Sequence, residues 1–331
     1  MPGSGTRTFF DPDDYQAGLR QSQIDLVVTC SGAFQARLTW VELDQLYLLR
    51  CQEEHSHIAY LSLPPALAFV AFRADPGPPP LWAGMELQSG DIVFHSPGAR
   101  LHQRTMGPCY WNLIALTAAD LDDFGRTLFE QEFAPPIAGR VLRPPSRDLG
   151  CLQRLHAAAC RLAEARPQTL THREAARSLQ QDLILALVTC LTTAAVRDDA
   201  AAQKRHARIM IRFEEVLLAH LHRPLRLRKL CELIGVSDRT LQLCCAEFLG
   251  ISPSRYVLLR RLKAVRIALR DADATTASVA QIANEYGFAR FEGRFAAAYL
   301  AAFGETPTVT LRRAPGSRFL GPILSGSGVR Q

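Results

Sequence analysis

No window of this 331-residue chain holds the ~18 uncharged apolar residues that a membrane span requires. The richest run, DLILALVTCLTTAAV, is too short. The N-terminus, MPGSGTRTFFDPDD, lacks the apolar core of a signal peptide, so secretion is not expected. Nine cysteines are present, but the number is odd and no CxxC pair occurs, which argues against a disulfide framework or a zinc ribbon. They read as reduced thiols serving as small apolar residues. No nucleophile elbow, P-loop or dinucleotide fingerprint appears. The chain is therefore read as cytoplasmic and non-enzymatic, with no cofactor and no membrane partner.

What is present is ordinary globular composition, 48% hydrophobic and 21% charged, in a length that suits two domains at ~150 residues each. The net charge of +6 is unevenly divided. Residues 204–313 carry 19 Lys and Arg against 10 Asp and Glu, a net +9, whereas residues 1–203 carry 17 against 22, a net −5. A basic module joined to a mildly acidic one points to a polyanion partner for the first and a different task for the second.

The first ~135 residues read as β-rich by alternation and by β-branched and aromatic content. Expected strands are IDLVVTC, FQARLTWVEL, QLYLLRC, ALAFVAFR, GDIVFH and CYWNLIALT, set apart by turns such as DPGPPP and SPGA. So many short strands without intervening helices favour an antiparallel barrel or sandwich. A helix over ALTAADLDDFGRTLFEQEF follows, and Pro135-Pro136 and Pro144-Pro145 mark a boundary. Two more helices are expected at residues 146–165 and 172–195. Leu179, Leu183, Ile184, Leu187, Val188 and Leu191 make one apolar face of the second, for packing on its own β domain or for a dimer contact. Trp40, Trp82, Trp111, Tyr110 and Phe94 are candidates for a ligand cavity, or simply for core. The charged stretch RDDAAAQKRHAR is taken as a linker. The domains are thus a β-rich domain at 1–140, a helical segment and linker at 141–203, a helical DNA-binding domain at 204–313, and a flexible tail at 314–331.

Beyond the linker every segment has helical periodicity. In LRKLCELIGVSDRTLQLCCAEFLG, Leu227, Leu230, Leu233 and Ile234 line one face of a short helix. Gly235 tolerates the positive φ of a tight turn, Val236 plugs the junction, and Ser237 caps the next helix. There Leu241 and Cys244 or Cys245 face inward, leaving Arg239, Thr240, Gln242 and Leu243 outside, where Arg suits guanine edges and Gln suits adenine. The pattern returns in SVAQIANEYGFARFEGRFAAAYLAAFG, with a capping box at Ser278 and Gln281, Val279, Ile282 and Ala283 apolar, and Gly287 in the turn. Phe291, Phe295, Tyr299 and Phe303 form the buried side of its second helix, and Arg290 and Arg294 are turned to DNA. The turn glycines lie 52 residues apart, so a chance pair is implausible. Between the units ISPSRYVLLRRLKAVRIALRDAD is capped by Ser252, with Pro253 at its first position and Tyr256, Leu259, Leu262, Val265 and Leu269 as its stripe. About 18 helical residues span roughly 27 Å, which suits two reading helices in successive major grooves. Arg255, Arg260, Arg261, Lys263, Arg266 and Arg270 on this helix are either a solvated face or phosphate contacts.

From about residue 209 to 313 the sequence resembles the AraC family of bacterial transcription regulators. LCELIGVSDRTLQ is similar to that family's first helix-turn-helix, EFLGISPSRYVLLRRLKAVRIAL to its connecting helix, and SVAQIANEYGF with FGETPTVTLRR to its second unit. The N-terminal region is similar to the family's cupin-like domains, which bind a small molecule or mediate dimerisation. The resemblance implies an α+β chain, a cupin-like antiparallel β-barrel followed by a helical linker and two helix-turn-helix units on one long helix. It implies a sequence-specific activator with double-stranded promoter DNA, RNA polymerase, an unidentified effector and a second copy of itself as partners. Base contacts are carried to Arg239, Gln242 and Leu243, and to Arg290, Gly293, Arg294 and Ala297. The chain departs from the family at Leu243 and Ala297, where arginine or histidine and arginine are customary, at Cys245, where Phe is usual, and at Cys231. One extra residue stands between Phe288 and Phe295. The smaller Cys245 implies a looser or differently packed first unit.

Two rival classes are weighed. A metal-dependent cupin enzyme with a DNA-binding appendage would use His55, His57, His95 and His102, but no carboxylate closely follows the His-x-His pair. Surface or hydrogen-bonded histidines explain them more simply, and no metal is expected. Cys244 and Cys245 point about 100° apart on a helix, so small apolar packing explains them better than a redox switch. The other rival is an architectural DNA binder, which would show almost no preference between promoter and random DNA.

Overall fold

The computed structural model describes residues 3–19, 23–30, 32–74, 77–197, 201–223, 225–288 and 292–313. In chain order the N-terminal half holds β1 (Gly5–Phe9), α1 (Pro12–Gly18), β2 (Gln23–Val28), β3 (Ala36–Glu42), β4 (Tyr47–Glu53), β5 (His57–Ser62) and β6 (Leu67–Arg73). Then come β7 (Leu81–Trp82), β8 (Met85–Glu86), β9 (Ile92–His95), β10 (Arg100–Arg104) and β11 (Cys109–Thr117). The helical segment is α2 (Ala118–Phe129), β12 (Arg140–Arg143), α3 (Ser146–Ala165), a 3-10 turn, α4 (Arg173–Thr193) and β13 (Ala195–Arg197). The C-terminal third is α5 (Ala201–Ala219), α6 (Leu227–Ile234), α7 (Asp238–Phe248), α8 (Pro253–Asp271), α9 (Val279–Glu285), α10 (Glu292–Phe303) and α11 (Pro307–Arg312).

The strands make two antiparallel sheets, β1-β3-β4-β11-β6-β9-β12-β13 and β2-β5-β10-β7-β8. They stack face to face as a double sheet, and hydrogen bonds among the described residues do not close them into the one barrel expected. Successive side chains on a strand point to opposite faces, so each inner strand of the larger sheet feeds two cores. Val70, Phe72, Ile114 and Leu116 pack under α2, α3 and α4, while Phe69, Ala71, Trp111 and Ala115 fill the space between the sheets. Burial on both faces is why ALAFVAFR reads as one continuous apolar run.

The apolar face of α4 lies in the first of these cores, with Leu183, Ile184, Leu187, Val188 and Leu191 buried against the chain's own sheet. That settles its alternatives in favour of internal packing. All six expected strands are present, but β1, β5, β7, β8, β10, β12 and β13 and helix α1 were not anticipated. The stretch taken as a charged linker is largely the start of α5. The expected tail at 314–331 lies outside the described residues.

The outer face of the smaller sheet carries the basic domain. Ile58 of β5 belongs to the same apolar cluster as Phe213, Leu241, Cys245, Phe248 and Tyr256. The turn between β7 and β8 allows this approach, because a Cβ on Gly84, at φ +83°, would come within 2.8 Å of the Phe248 ring. The molecule is therefore layered: helices, large sheet, small sheet, basic helical domain.

Candidate nucleic-acid interface

The two helix-turn-helix units are built alike at the level of single hydrogen bonds. In the first, Gly235 adopts φ 78°, its N–H donates to Glu232 O at 3.2 Å, and Val236 N–H reaches back to Cys231 O at 3.1 Å. In the second, Gly287 has φ 77°, donates to Asn284 O at 2.9 Å, and Phe288 N–H reaches Ala283 O at 3.1 Å. This paired closure of the last helical turn swings the next helix sharply across the first. The Ser237 hydroxyl accepts the Thr240 N–H at 3.1 Å and starts α7, and Ser252 does the same for Arg255 at 3.3 Å at the start of α8. Ser278 stands at the N-cap of α9 but makes no side-chain cap bond, so the expected capping box is not formed.

Leu241, Cys244 and Cys245 all face inward on α7, and Arg239 and Gln242 are exposed. Leu243 is 57% exposed, an apolar side chain held out on a polar surface. Thr240 is half-buried, its hydroxyl 2.8 Å from that of Ser237, and Gln242 Nε2 donates to Asp238 Oδ2 at 3.0 Å. Both groups are held locally. Arg294 and Ala297 are exposed on α10, where Phe295 and Tyr299 are buried and Phe303 partly so. Arg290 and Phe291 lie outside the described residues; Gly293 lies on the first turn of α10.

One basic group was missed. Arg205, Arg208 and Arg212 of α5 line a shallow groove with Gly235, Ser237 and Thr240, at the N-terminus of α7. Guanidinium groups beside a helix N-terminus make an anion site. The signal was an i, i+3, i+7 spacing of arginines, hidden by reading the stretch as a linker.

The connecting helix overturns both readings of its arginines. Arg260, Lys263 and Arg266 are buried, not solvated, and they meet carboxylates of the N-terminal domain. Arg260 pairs with Asp25 of β2 and, at 2.5 Å, with Glu214 of α5. Lys263 pairs with Asp25 and donates to Leu26 O at 2.7 Å. Arg266 lies 2.6 Å from Asp11, and Arg270 lies 2.7 Å from Asp11 and 2.6 Å from Asp14. Arg261 instead donates to Tyr286 O and lies 4.2 Å over the Phe288 ring. Only Arg255 of the six is left on an exposed face. Burial pushes Asp25 and Glu214 towards the neutral form, but Lys263 and Arg260 for Asp25, and Arg260 and His102 for Glu214, outweigh it and hold both below the ordinary carboxylate range.

Of the four histidines, His57 and His102 are hydrogen-bonded through their rings, and His57, His95 and His102 are buried rather than superficial. His102 Nε2 stands 3.2 Å from Glu214 Oε2, which also accepts the Tyr256 hydroxyl at 2.9 Å. His57 and His95 face the space between the sheets, while His55 packs at the edge against Phe34. Among the described residues no three His, Cys, Asp or Glu stand together to hold a metal. The nine cysteines are free thiols, and burial raises Cys244 to about 11 and Cys231 and Cys245 above their usual range. None of these three is a poised thiolate.

Cys245 faces the core, as the helical period implies. It is fully buried in the cluster that holds Phe213, Phe248 and Tyr256. Cys245→Phe is therefore expected to lower stability by about 1–3 kcal/mol through overpacking. Urea unfolding would measure it, and a gain in stability would show that unfilled space does exist there.

A separate cavity of about 90 Å³ lies between the sheets, lined among others by Leu26, Glu53, His57, His95, Gln103 and Trp111. Of the five aromatics considered as lining, only Trp111 borders it. Trp82 packs on His95, Phe94 joins the helix-side core, Trp40 is partly buried, and Tyr110 bonds Glu54 at 3.0 Å.

Two helix-turn-helix units, each closed by a left-handed glycine and mounted on one long helix with exposed polar side chains, define a bipartite DNA-binding domain. A family model described as a helix-turn-helix domain matches residues 230–313. The chain is 39% identical over 94 residues to a XylDLEGF operon transcriptional activator of Pseudomonas putida, covering 28% of this chain and 29% of that protein. It is 36% identical over 101 residues to a probable thc operon regulatory protein of Rhodococcus erythropolis, covering 30% of each. The chain thus spans about 30% of the length of the curated relatives it matches. Among solved structures, the AraC-like transcriptional activator CuxR aligns over 79% of this chain and 94% of its own at 15% identity, with a TM-score of 0.41. The family match falls on the C-terminal part of the chain, which is a helix-turn-helix domain like that of the curated operon regulators. No helix among the described residues is long and apolar enough to cross a membrane.

Proposed function

We propose that this protein is a sequence-specific, non-enzymatic transcription regulator of the cytoplasm that activates promoters in response to a small molecule held by its N-terminal domain. The observation that carries the reading is the twofold helix-turn-helix geometry, with Arg239, Gln242 and Leu243 displayed beside the arginine groove of α5. The α7 side chains read bases, Arg205 and Arg208 hold phosphates, and the α10 face reads the next groove. Leu243 offers a thymine methyl contact where an arginine would seek guanine.

Strand β2 couples the two halves. Its Ile24 and Leu26 line the cavity, and Asp25 between them holds Arg260 and Lys263 on the opposite face. A ligand that shifts β2 moves the anchor of the connecting helix, and with it the spacing of the reading helices. RNA polymerase recruitment and homodimer formation complete the mechanism. The dimer uses a surface other than the apolar face of α4, which is already covered.

Genome-wide mapping of bound sites tests the reading, since enrichment no better than background would sink it. Arg239→Ala should relax preference at one base pair by about 1–3 kcal/mol. Uniform weakening across all sequences, with a shallower salt dependence, would make Arg239 a phosphate contact instead.

A further inference from the structure

The cavity between the sheets has an unusual chemistry for a small-molecule site. Its walls are mostly aliphatic and aromatic, and no Lys or Arg is among the described residues that line it. The one ionisable carboxyl there is Glu53, buried at the end of β4. Its Oε1 accepts the Tyr15 hydroxyl at 2.7 Å, while Oε2 has no hydrogen-bond partner and sits 3.5 Å from His57 Nε2. His57 is itself committed, with Nδ1 3.0 Å from His55 O and 3.1 Å from Thr105 Oγ1. Trp111 Nε1 and His95 Nδ1 are also buried without a partner. Burial lowers His95 to about 4, so it contributes no positive charge near neutrality.

The sheet register brings the two orphaned groups of opposite character together. Cys109 pairs with Glu53 and Trp111 with Cys51 across β11 and β4, so Glu53 and Trp111 are diagonal neighbours on the same face. One offers an acceptor and the other a donor. A hydroxyl satisfies both, giving its proton to Glu53 and accepting from the indole N–H. A carboxylate satisfies only the indole and meets Glu53 acceptor to acceptor, with no Lys or Arg among the described lining residues to bridge them. The volume, about 90 Å³, is below the ~150 Å³ that takes benzene, which limits the body to a few carbons or one ring with small side-chain movements.

We propose that the effector is a small neutral alcohol or phenol, its hydroxyl bridging Glu53 and Trp111 and its apolar body lying against Leu26, Leu49 and Phe69. This rests on reading the N-terminal domain as the effector domain. Carboxylates of the same skeleton are excluded by Glu53.

The test is calorimetric titration of the full chain with butan-1-ol and benzyl alcohol, and with butyrate and benzoate as their acid counterparts. At least one alcohol should bind, at least tenfold tighter than its acid. Glu53→Gln keeps the volume and should weaken the alcohol about tenfold while narrowing the gap to the acid, and Trp111→Phe should weaken the alcohol without narrowing it. Circular dichroism melts check that each variant folds. Equal or tighter binding of an acid, no binding by any of the four, or an alcohol indifferent to Glu53→Gln overturns the assignment. Selection of bound DNA fragments from a random pool, run alongside, separates the two ideas. Specific DNA binding without alcohol binding defeats the ligand class alone, and alcohol binding that depends on Glu53 without specific DNA binding defeats the regulator reading alone.

Discussion

Taking the protein from pH 7 to pH 4 should remove about 6 kcal/mol of stability through two histidines alone. His95 and His156 are buried, and burial lowers each to about 4 from an ordinary value near 6.5. His156 is on the buried face of α3, edge-on to Phe72, with Nε2 3.4 Å from Leu113 O. In the unfolded chain both rings take up a proton as the pH falls through about 6.5, whereas the folded chain refuses it until about 4. Stability is therefore undiminished above about 6.5 and declines steadily down to about 4, by about 3 kcal/mol per ring. Asp11, Asp25 and Glu214 act lower still. Burial alone would raise them, but their cationic partners hold all three below the ordinary carboxylate value. Their contribution is present above the unfolded value and disappears as the pH falls through the folded one. For a domain stabilised by about 5–15 kcal/mol, acid unfolding should set in well above pH 3. Urea midpoints collected at half-unit steps from pH 7.5 to 4 would show the slope, and His156→Leu should remove about half of it. A flat profile between pH 7 and 5 would mean that both rings are hydrated in the folded state.

Glu214→Ala is expected to cost about 3–5 kcal/mol, the penalty for stranding a buried charge. Glu214 is wholly enclosed and is shared by Arg260, His102 and the Tyr256 hydroxyl. Without it, Arg260, only 3% exposed, keeps a single carboxylate, Asp25, while its own desolvation is unrelieved. The pair with Glu214 is made by charge at short range and not by well-aligned hydrogen bonds, since the Arg260 nitrogens have none in the described structure. Because these groups lie where the small sheet meets the basic domain, the loss should also uncouple the two halves. Calorimetry should show one unfolding transition in the parent and two in the variant. Salt should matter little to Arg260, which water does not reach, and more to the half-exposed Asp14–Arg270 pair at the rim. A loss below 1 kcal/mol with a single transition retained would show that the interface is open in solution.

The first unit was legible from the sequence because everything that shapes it is local. Gly235 permits the left-handed turn, Ser237 supplies the cap four residues before Leu241, and the inward and outward faces of α7 follow from helical period alone. The second unit was equally legible at Gly287, though Ser278 has the right residue type for a cap and does not use it. The connecting helix marks the limit. Arg260, Lys263 and Arg266 follow the same periodicity whether they face water, phosphate or another domain, and only Asp11, Asp13 and Asp25, some 240 residues earlier, decide between these. The strands β5 and β10 escaped notice for a related reason. Their outer faces carry Tyr60, Arg100, His102 and Arg104, which look solvent-facing until a second domain is laid over them.

By itself, then, the sequence determined the β-rich character of the first part, the helix-turn-helix pair and the residues displayed on α7, since strand alternation, capping, turn glycines and helical period act over a few residues. The tertiary structure alone decided that the basic helix is held by the acidic domain, that His102 serves Glu214, and that Glu53 and Trp111 share one cavity with no Lys or Arg among its described lining residues. Each of these depends on charges and unpaired polar atoms brought together from distant segments, and desolvation makes such meetings consequential only once the surrounding chain has closed over them.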